Sequence, residues 1–285
     1  MIQLLLGIIY LAFISLGLPD ALLGSAWPTI YREFAAPVSY VGIIAMIISI
    51  GTIISSLQSD RLTFKLGPGK VTAIGVAMTA IALFGFSESS SFWMLCLWAI
   101  PYGFGAGSVD AALNNYVALN FASKHMSRLH CMWGIGASLG PYIMGQVLIG
   151  GQSWNSGYRY IAILQIMLTI ILILSLPLWK KHKIEPCHDI SFSERKVLSF
   201  SEITKISGIK EVLTVCFCYC ALEQTAGLWA SSYLTLHNGF SAEKAASFAS
   251  IFFIGITAGR GLSGFLTIKF NNPNMIRLGQ VIAGC

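Results

Sequence analysis

Charged residues are scarce in this sequence of 285 residues. They make up 11% of the chain, against roughly 25% in an ordinary water-soluble domain. Hydrophobic residues make up 55% of the chain, and the mean hydropathy is +0.71. This balance argues against a soluble globular domain and favours a protein that lies in a membrane.

The sequence also lacks the residue patterns of several classes of site. Its seven cysteines include no CxxC pair, so neither a disulfide framework nor a zinc module is expected. Cys187, His188 and Asp189 are adjacent and cannot converge on one ion without further ligands. We therefore expect no metal and no cofactor, and the absence of a nucleophile and base pair at membrane depth argues against an enzyme.

The excess of basic residues does not form a patch. The formal net charge is +6, but the lysines and arginines occupy short gaps between long apolar runs, as in membrane proteins with several spans. Nucleic acid is therefore not an expected partner. The expected surroundings are the lipid bilayer.

Long apolar runs fill most of the chain and predict an all-α polytopic membrane protein. A helix needs about 20 residues to cross the hydrocarbon core of a bilayer. The predicted spans are Leu4–Ile30, Tyr40–Leu57, Val71–Phe86, Phe92–Leu119, His130–Leu148, Tyr158–Trp179, Val212–Leu236 and Ala245–Ile268. A ninth run begins near Met275 and is cut off at Cys285 after about half a span, so we expect a C-terminally truncated chain. The first run lacks the basic start of a signal peptide and should be retained as a helix.

The distribution of Lys and Arg predicts the orientation. With the N-terminus in the cytoplasm, fourteen of the eighteen lie in inside loops, as expected from the retention of positive charge on that side. Arg32, Arg159 and Lys244 fall outside, and Arg260 lies within a span. We expect a cytoplasmic N-terminus in a plasma membrane, most simply the inner membrane of a bacterium.

A polar stretch divides the chain into three predicted segments: a six-helix bundle over 1–179, a cytoplasmic linker over 180–211 and an incomplete second bundle over 212–285. A shift of 204 residues superposes the second span and its loop on the eighth. The matched residues are Ile50, Gly51, Leu62, Thr63, Lys65 and Gly75 on Ile254, Gly255, Leu266, Thr267, Lys269 and Gly279. Both copies would enter the membrane in the same direction, which is typical of a parallel repeat of two six-helix halves.

These features resemble the major facilitator superfamily, and within it the fucose-permease-like group of sugar and proton symporters. The matching motifs are Gly17-Leu18-Pro19-Asp20 with Gly24 and Trp27-Pro28, Ser59-Asp60-Arg61 with Gly67 and Lys70, Gly103 to Gly107 with Asp110 and Asn114, Gly136 with Gly140-Pro141, Glu223 to Trp229 with Tyr233, and Gly259-Arg260 with Gly264. The resemblance implies the major facilitator fold, with one complete six-helix bundle and about two and a half helices of the second. A complete relative would have twelve helices, and we expect a monomer.

Three acids lie in predicted spans, namely Asp20, Asp110 and Glu223. An ionised side chain at the centre of a bilayer costs about 2.5 to 3.5 kcal/mol, so such residues usually face a water-filled cavity. Gly17 and Pro19 predict a discontinuous helix beside Asp20, and Asn114 shares a helix face with Asp110. In each case a structural pairing with a neighbouring helix is the alternative. The resemblance implies roles in substrate binding and proton coupling for Asp20 and Asp110.

The seventh span carries further candidates. Glu223 and Gln224 form a polar face, and Trp229 follows them, while Trp27 lies close to the corresponding place in the first span. Two tryptophans that face a cavity could stack on a sugar ring. An interfacial position for either tryptophan is the alternative.

Asp60 and Arg61 belong to a loop that the resemblance identifies as a conformational gate on the cytoplasmic side. The usual glycine near Gln58 and a second basic residue are missing, so we expect a weaker latch. Arg260 in the second half is expected to close a similar cytoplasmic contact.

Glycine clusters indicate close helix packing rather than nucleotide binding, since no strand precedes Gly103, Gly105 and Gly107. The Gly140-Pro141 pair also resembles a signature of antiporters in the superfamily. For the intact protein, the expected function is proton-coupled transport of a small polar solute, most simply a sugar, by alternating access. A drug or metabolite antiporter and a membrane sensor without transport are the alternatives.

Overall fold

The computed structural model describes residues 2–181 and 204–266, together with positions 202, 274, 277, 279 and 281. Nine helices are defined within the two described ranges. They are α1 (Ile2–Asp20), α2 (Leu22–Glu33), α3 (Tyr40–Leu66), α4 (Pro68–Ser87), α5 (Phe92–Asn120), α6 (Ser123–Ile149), α7 (Trp154–Lys181), α8 (Ile209–Leu236) and α9 (Ala242–Leu266). The predicted all-α fold class is confirmed.

Seven helical stretches of the described chain are long and apolar enough to cross a membrane, and α1 and α2 together count as one of them, Gln3–Glu33. The helix α6 is absent from the seven although a span was predicted over His130–Leu148. Its apolar part, 132–149, contains four glycines together with Ser138, Pro141 and Gln146, which lower its average hydropathy. It nevertheless packs along α1 and α9, inside the helical assembly.

The first span is broken between α1 and α2, as the sequence predicts. Ala21 lies between the two helices with φ −97° and ψ 2°. Pro19 lies inside α1 and has no N–H to donate to the carbonyl of Ser15, one turn earlier. The side chain of Gln165 in α7 donates to this carbonyl instead, with its Nε2 atom 2.5 Å from the oxygen. A helix of the same bundle thus satisfies the backbone group that Pro19 leaves free.

Helices α1 to α7 share one apolar core. Its buried residues run along the chain from Leu5 to Trp179. The helix α5 packs against α3 and α4, α4 also packs against α7, and α1 packs against α6. Helices α8 and α9 join this bundle mainly through α2, which packs on both of them, and through α6, which packs on α9.

Glycines allow the helix backbones to touch at these crossings. A side chain at Gly136 or Gly140 would overlap the carbonyl oxygen of Ile14 or Leu18, so α6 lies directly on α1. Gly24 of α2 meets the backbone of Gly227 in α8 in the same way. Gly103, Gly105 and Gly107 bring α5 onto α3 and α4. The predicted role of the α5 and α6 glycines in close helix packing is confirmed.

The predicted loop that carries Asp60 and Arg61 is helical in the structure, which corrects the sequence interpretation. The helix α3 continues to Leu66, and α4 begins at Pro68 after a single residue. That residue is Gly67, with φ +84°, a conformation that side chains disfavour. No helix breaker precedes the Gly67-Pro68 pair, so the charged residues extend α3 rather than ending it.

The predicted segments 1–179, 180–211 and 212–285 stay predictions. Most of the linker lies outside the described residues. The helix α8 begins at Ile209, two residues before the predicted end of the linker. The predicted ninth span falls largely outside the described residues as well. The matched positions Thr267 and Lys269 of the repeat are also not described.

The crossing of α1 and α6 gives a first test. We expect Gly136→Ala to lower the free energy of unfolding by about 1 to 3 kcal/mol, because the added methyl group overlaps the backbone of α1. Gly7→Ala is the matched control, since no atom lies within 4 Å of the added group. Thermal unfolding in detergent measures both variants, and equal melting temperatures would contradict the described packing.

The broken span gives a second test. We expect Gln165→Leu to cost about 1 to 3 kcal/mol of stability, because it leaves the Ser15 carbonyl buried without a donor. The loss should shrink in a Pro19→Ala background, where the N–H of residue 19 can serve the same carbonyl. Unfolding of the four variants in detergent measures this difference. An undiminished loss beside Pro19→Ala would show that Gln165 stabilises the protein in another way.

Candidate functional site

Asp20 is the last residue of α1, at the break in the first span. Its Oδ1 atom accepts a hydrogen bond from the Tyr102 hydroxyl of α5 at 3.3 Å. Its Oδ2 atom accepts one from the indole N–H of Trp133 in α6 at 2.7 Å. The carboxylate is surrounded by protein atoms yet keeps solvent-accessible surface. This is the situation of a side chain at the base of a cleft.

Two further acids are electrostatic neighbours of Asp20: Asp110 in α5 and Glu223 in α8. The structure therefore brings the three acids predicted from the sequence into one region. They come from the first span, the fourth span and the beginning of the second bundle. This region is the candidate functional site.

Asp110 and Asn114 form the predicted polar stripe on α5. The Asn114 side-chain N–H donates to Oδ1 of Asp110 at 2.9 Å. The Asn114 carbonyl oxygen is buried without a hydrogen-bond partner in the described part of the chain. The pair therefore offers an unused acceptor beside a carboxylate.

Glu223 is 7% exposed and is paired with Arg260 of α9. One guanidinium nitrogen lies 3.2 Å from each carboxylate oxygen of Glu223 and 2.9 Å from the hydroxyl of Tyr219. The same guanidinium lies over the ring of Trp133, 4.5 Å from its centroid. Arg260 was predicted to close a contact on the cytoplasmic side. It instead pairs with Glu223 on the neighbouring helix α8, because a buried carboxylate attracts the cation.

Trp133 was not predicted to contribute to the site, and neither were Tyr102 and Tyr219. Trp133 could have been found from its spacing to Gly136 and Gly140, which places all three on one face of α6. Tyr219 could have been found in the same way, because it lies one turn before Glu223 on α8. Tyr102 carries no comparable signal, since its partner depends on how the helices are rotated against one another.

Gln224 and Trp229 lie in a separate groove between α3 and α8. The groove has a volume of about 420 Å³ and is lined by Gly42, Ala45, Met46, Ser49, Ile50, Gln224, Thr225, Leu228 and Trp229. Adjacent residues on a helix point about 100° apart. Glu223 therefore faces Arg260 while Gln224 faces α3, and the predicted single polar face is divided in two.

Trp27 does not face a cavity, which corrects the predicted pairing with Trp229. Its side chain is 0% exposed and belongs to the core of the first bundle. Its indole N–H donates to the Val38 carbonyl, 2.8 Å away, in the connection from α2 to α3. Trp27 is anchored to the backbone of its own bundle, because a buried indole N–H needs a partner.

Two of the predicted gate residues, Asp60 and Arg61, lie in the last turns of α3. Asp60 accepts a hydrogen bond from the side chain of Asn115 in α5, at 3.2 Å. Both residues are exposed, as is Arg61 beside them. This contact joins α3 to α5 within the first bundle. Across 2–181 and 204–266 no cluster of three His, Cys, Asp or Glu side chains could hold a metal ion.

Known proteins resemble the chain along most of its length. A Saccharomyces cerevisiae protein, Bypass of stop codon protein 6, is 25% identical over 90% of this chain and 56% of its own length. The Glucose/mannose transporter GlcP of Bacillus subtilis is 20% identical over 92% of this chain and 66% of its own. A Probable hexose phosphate transport protein of Chlamydia pneumoniae is 23% identical, with coverage of 87% and 60%. The chain thus spans a little over half to about two thirds of these relatives.

The fold is found in a solved transporter. The crystal structure of a D-xylose-proton symporter superposes with a TM-score of 0.67 and 14% sequence identity, covering 94% of this chain and 70% of that one. The profile of the Major Facilitator Superfamily matches residues 9–285. Two of these relatives and the solved structure are named as transporters, which are not enzymes. The chain is an integral, multi-pass membrane protein that belongs to the Major Facilitator Superfamily.

Proposed function

We propose that this protein moves a neutral sugar across the membrane together with protons, by alternating access. The observation that carries the proposal is the solvent-accessible carboxylate of Asp20 at the break in the first span. Such a group is tolerated at the depth of the bilayer beside a wet cavity. Broken spans at the interface of two repeats are typical of transporter binding sites.

The charge of the site supports proton coupling. Asp20, Asp110 and Glu223 supply three carboxylates, and Arg260 supplies one guanidinium. With all four ionised the cluster is negative, so a bound proton relieves repulsion between the acids. Desolvation by an entering solute adds to this effect because it disfavours a charged carboxylate. Binding of the solute and of the proton would thus favour one another.

The hydrogen-bonding groups of the site suit hydroxyl groups of a sugar. The carboxylates and the unpartnered carbonyl of Asn114 are acceptors, and the Tyr102 hydroxyl can donate or accept. The negative cluster would repel a phosphate group. We therefore propose a neutral monosaccharide, in line with the glucose and mannose named for the Bacillus subtilis relative rather than the hexose phosphate named for the Chlamydia pneumoniae relative.

The contacts between the bundles supply a basis for alternating access. The two bundles touch where α2 meets α8 at Gly24, and where α6 meets α9 at Gly134 and Gly145. Small residues at both contacts let the helices tilt against each other, which is how repeats of transporters rock around a fixed site. We propose Asp60, Arg61 and the exposed end of α3 as part of the gate.

Orientation in the membrane and further solute contacts are proposed on the same basis. The distribution of Lys and Arg along the sequence supports a cytoplasmic N-terminus in the plasma membrane, with the linker 180–211 on the same side. Gln224 and Trp229 are proposed to contact the solute from the groove beside α3. Trp27 is left out of the proposed site because its indole is used within the core.

Uptake into proteoliposomes tests the proposal. We expect an inward proton gradient to drive accumulation of labelled glucose or mannose. Asp20→Asn should abolish accumulation while keeping exchange of the sugar at equal pH, since it removes the titrating group but keeps a similar shape. Glu88→Gln is the control, because this acid is half exposed and paired with Arg159 outside the site.

Other outcomes would replace the proposal. Drug-stimulated proton efflux without sugar uptake would indicate an antiporter. Sugar binding without flux in either direction would indicate a sensor. Full gradient-driven accumulation in Asp20→Asn would exclude Asp20 as the coupling acid.

A further inference from the structure

Trp133 contacts both charged groups at the junction of the two bundles. Its indole N–H donates to Asp20 at 2.7 Å, and its ring lies 4.5 Å from the guanidinium carbon of Arg260. The edge of an indole ring is electropositive and its face is electronegative. Trp133 therefore meets the anion with its edge and the cation with its face, which is the favourable arrangement at both contacts.

The backbone around Trp133 is held on two sides. A side chain at Gly17 of α1 would overlap the carbonyl oxygen of Trp133, so the two helices touch at this residue. Gly134, the next residue, packs on Thr257 of α9, three positions before Arg260. Trp133 thus lies where α1, α6 and α9 meet, and its ring contacts a charged group on α1 and another on α9.

Charges alternate along this path. The carboxylate of Asp20 is followed by the indole ring, by the guanidinium of Arg260 and by the carboxylate of Glu223. A hydrogen bond from the indole to an ionised acid increases the electron density of the ring and strengthens its attraction for the guanidinium. Neutralising Asp20 weakens both contacts, and Arg260 is then held mainly by Glu223 and Tyr219.

We propose that Trp133 is a positioning residue that couples the charge of Asp20 to the Glu223–Arg260 ion pair across the interface of the two bundles. The inference rests on the proposed function, because it assigns the link between proton binding at Asp20 and movement of α9. Trp133 acts through its two neighbours. Further titratable groups around this path are Tyr102 and Asp110 on α5, His130 on α6, and Tyr219 and Cys220 on α8.

Nuclear magnetic resonance of the indole N–H groups tests the link without transport. With ¹⁵N-labelled tryptophan, the signal lost in Trp133→Phe identifies this residue. We expect Asp20→Asn and Arg260→Lys each to shift the Trp133 signal, with a combined effect that differs from the sum. The signal of Trp93, which is 75% exposed at the start of α5, is the control and should stay in place.

The proposal is overturned if Arg260→Lys moves the Trp133 signal no more than that of Trp93. Glu223→Gln provides a second perturbation of the same cation should Arg260→Lys fail to fold. Under the proposal it also shifts the Trp133 signal, and an unchanged signal there counts equally against the link. These measurements hold whether or not the protein carries sugar, so they separate this inference from the proposed function.

Transport by Trp133→Phe tests whether this link contributes to proton coupling. This variant keeps an aromatic face for Arg260 but loses the N–H to Asp20. We expect gradient-driven accumulation to fall about tenfold, as for the loss of a hydrogen bond to a charged group, with exchange at equal pH within about twofold of the unmodified protein. Trp93→Phe should change neither. An equal fall in accumulation and exchange would assign Trp133 a purely structural role and overturn the proposal.

Discussion

The bilayer interior provides no water for a polar group, so each one needs a partner in the protein or access to a cleft. This constraint acts most strongly at the break in the first span. Pro19 frees the Ser15 carbonyl, and Gln165 satisfies it from α7. Asp20 follows directly, held by Tyr102 and Trp133 from two other helices. The backbone defect and the carboxylate are thus stabilised by different helices of the same bundle.

Trp133 also links the two bundles, at a place where the helix backbones lie close together. Glycines bring α6 onto α1 within the first bundle, and Gly24 brings α2 of the first bundle onto α8 of the second. The ion pair of Glu223 and Arg260 lies on the second bundle, and Trp133 connects it to Asp20 on the first. A change of charge at the break can therefore affect how the two bundles contact each other. This is the physical core of the proposed coupling.

The parts of this arrangement that depend on local sequence could be predicted. Apolar runs predict the helices, and Gly17 with Pro19 predicts the break beside Asp20. Partners that lie 82 and 113 residues away along the chain could not be predicted, because they depend on helix rotation and register. For the same reason the prediction that Trp27 faces a cavity was wrong, and its side chain lies in the core.

The central claim is that water reaches Asp20 between the two bundles. Labelling of Asp20→Cys by a hydrophilic, charged maleimide, in a background without the native cysteines, tests it most directly. The account predicts rapid labelling of Asp20→Cys in membranes and little labelling of Leu22→Cys, which is fully buried, or of Leu4→Cys, on an apolar outer face. Labelling of Asp20→Cys as slow as that of these two controls would contradict it.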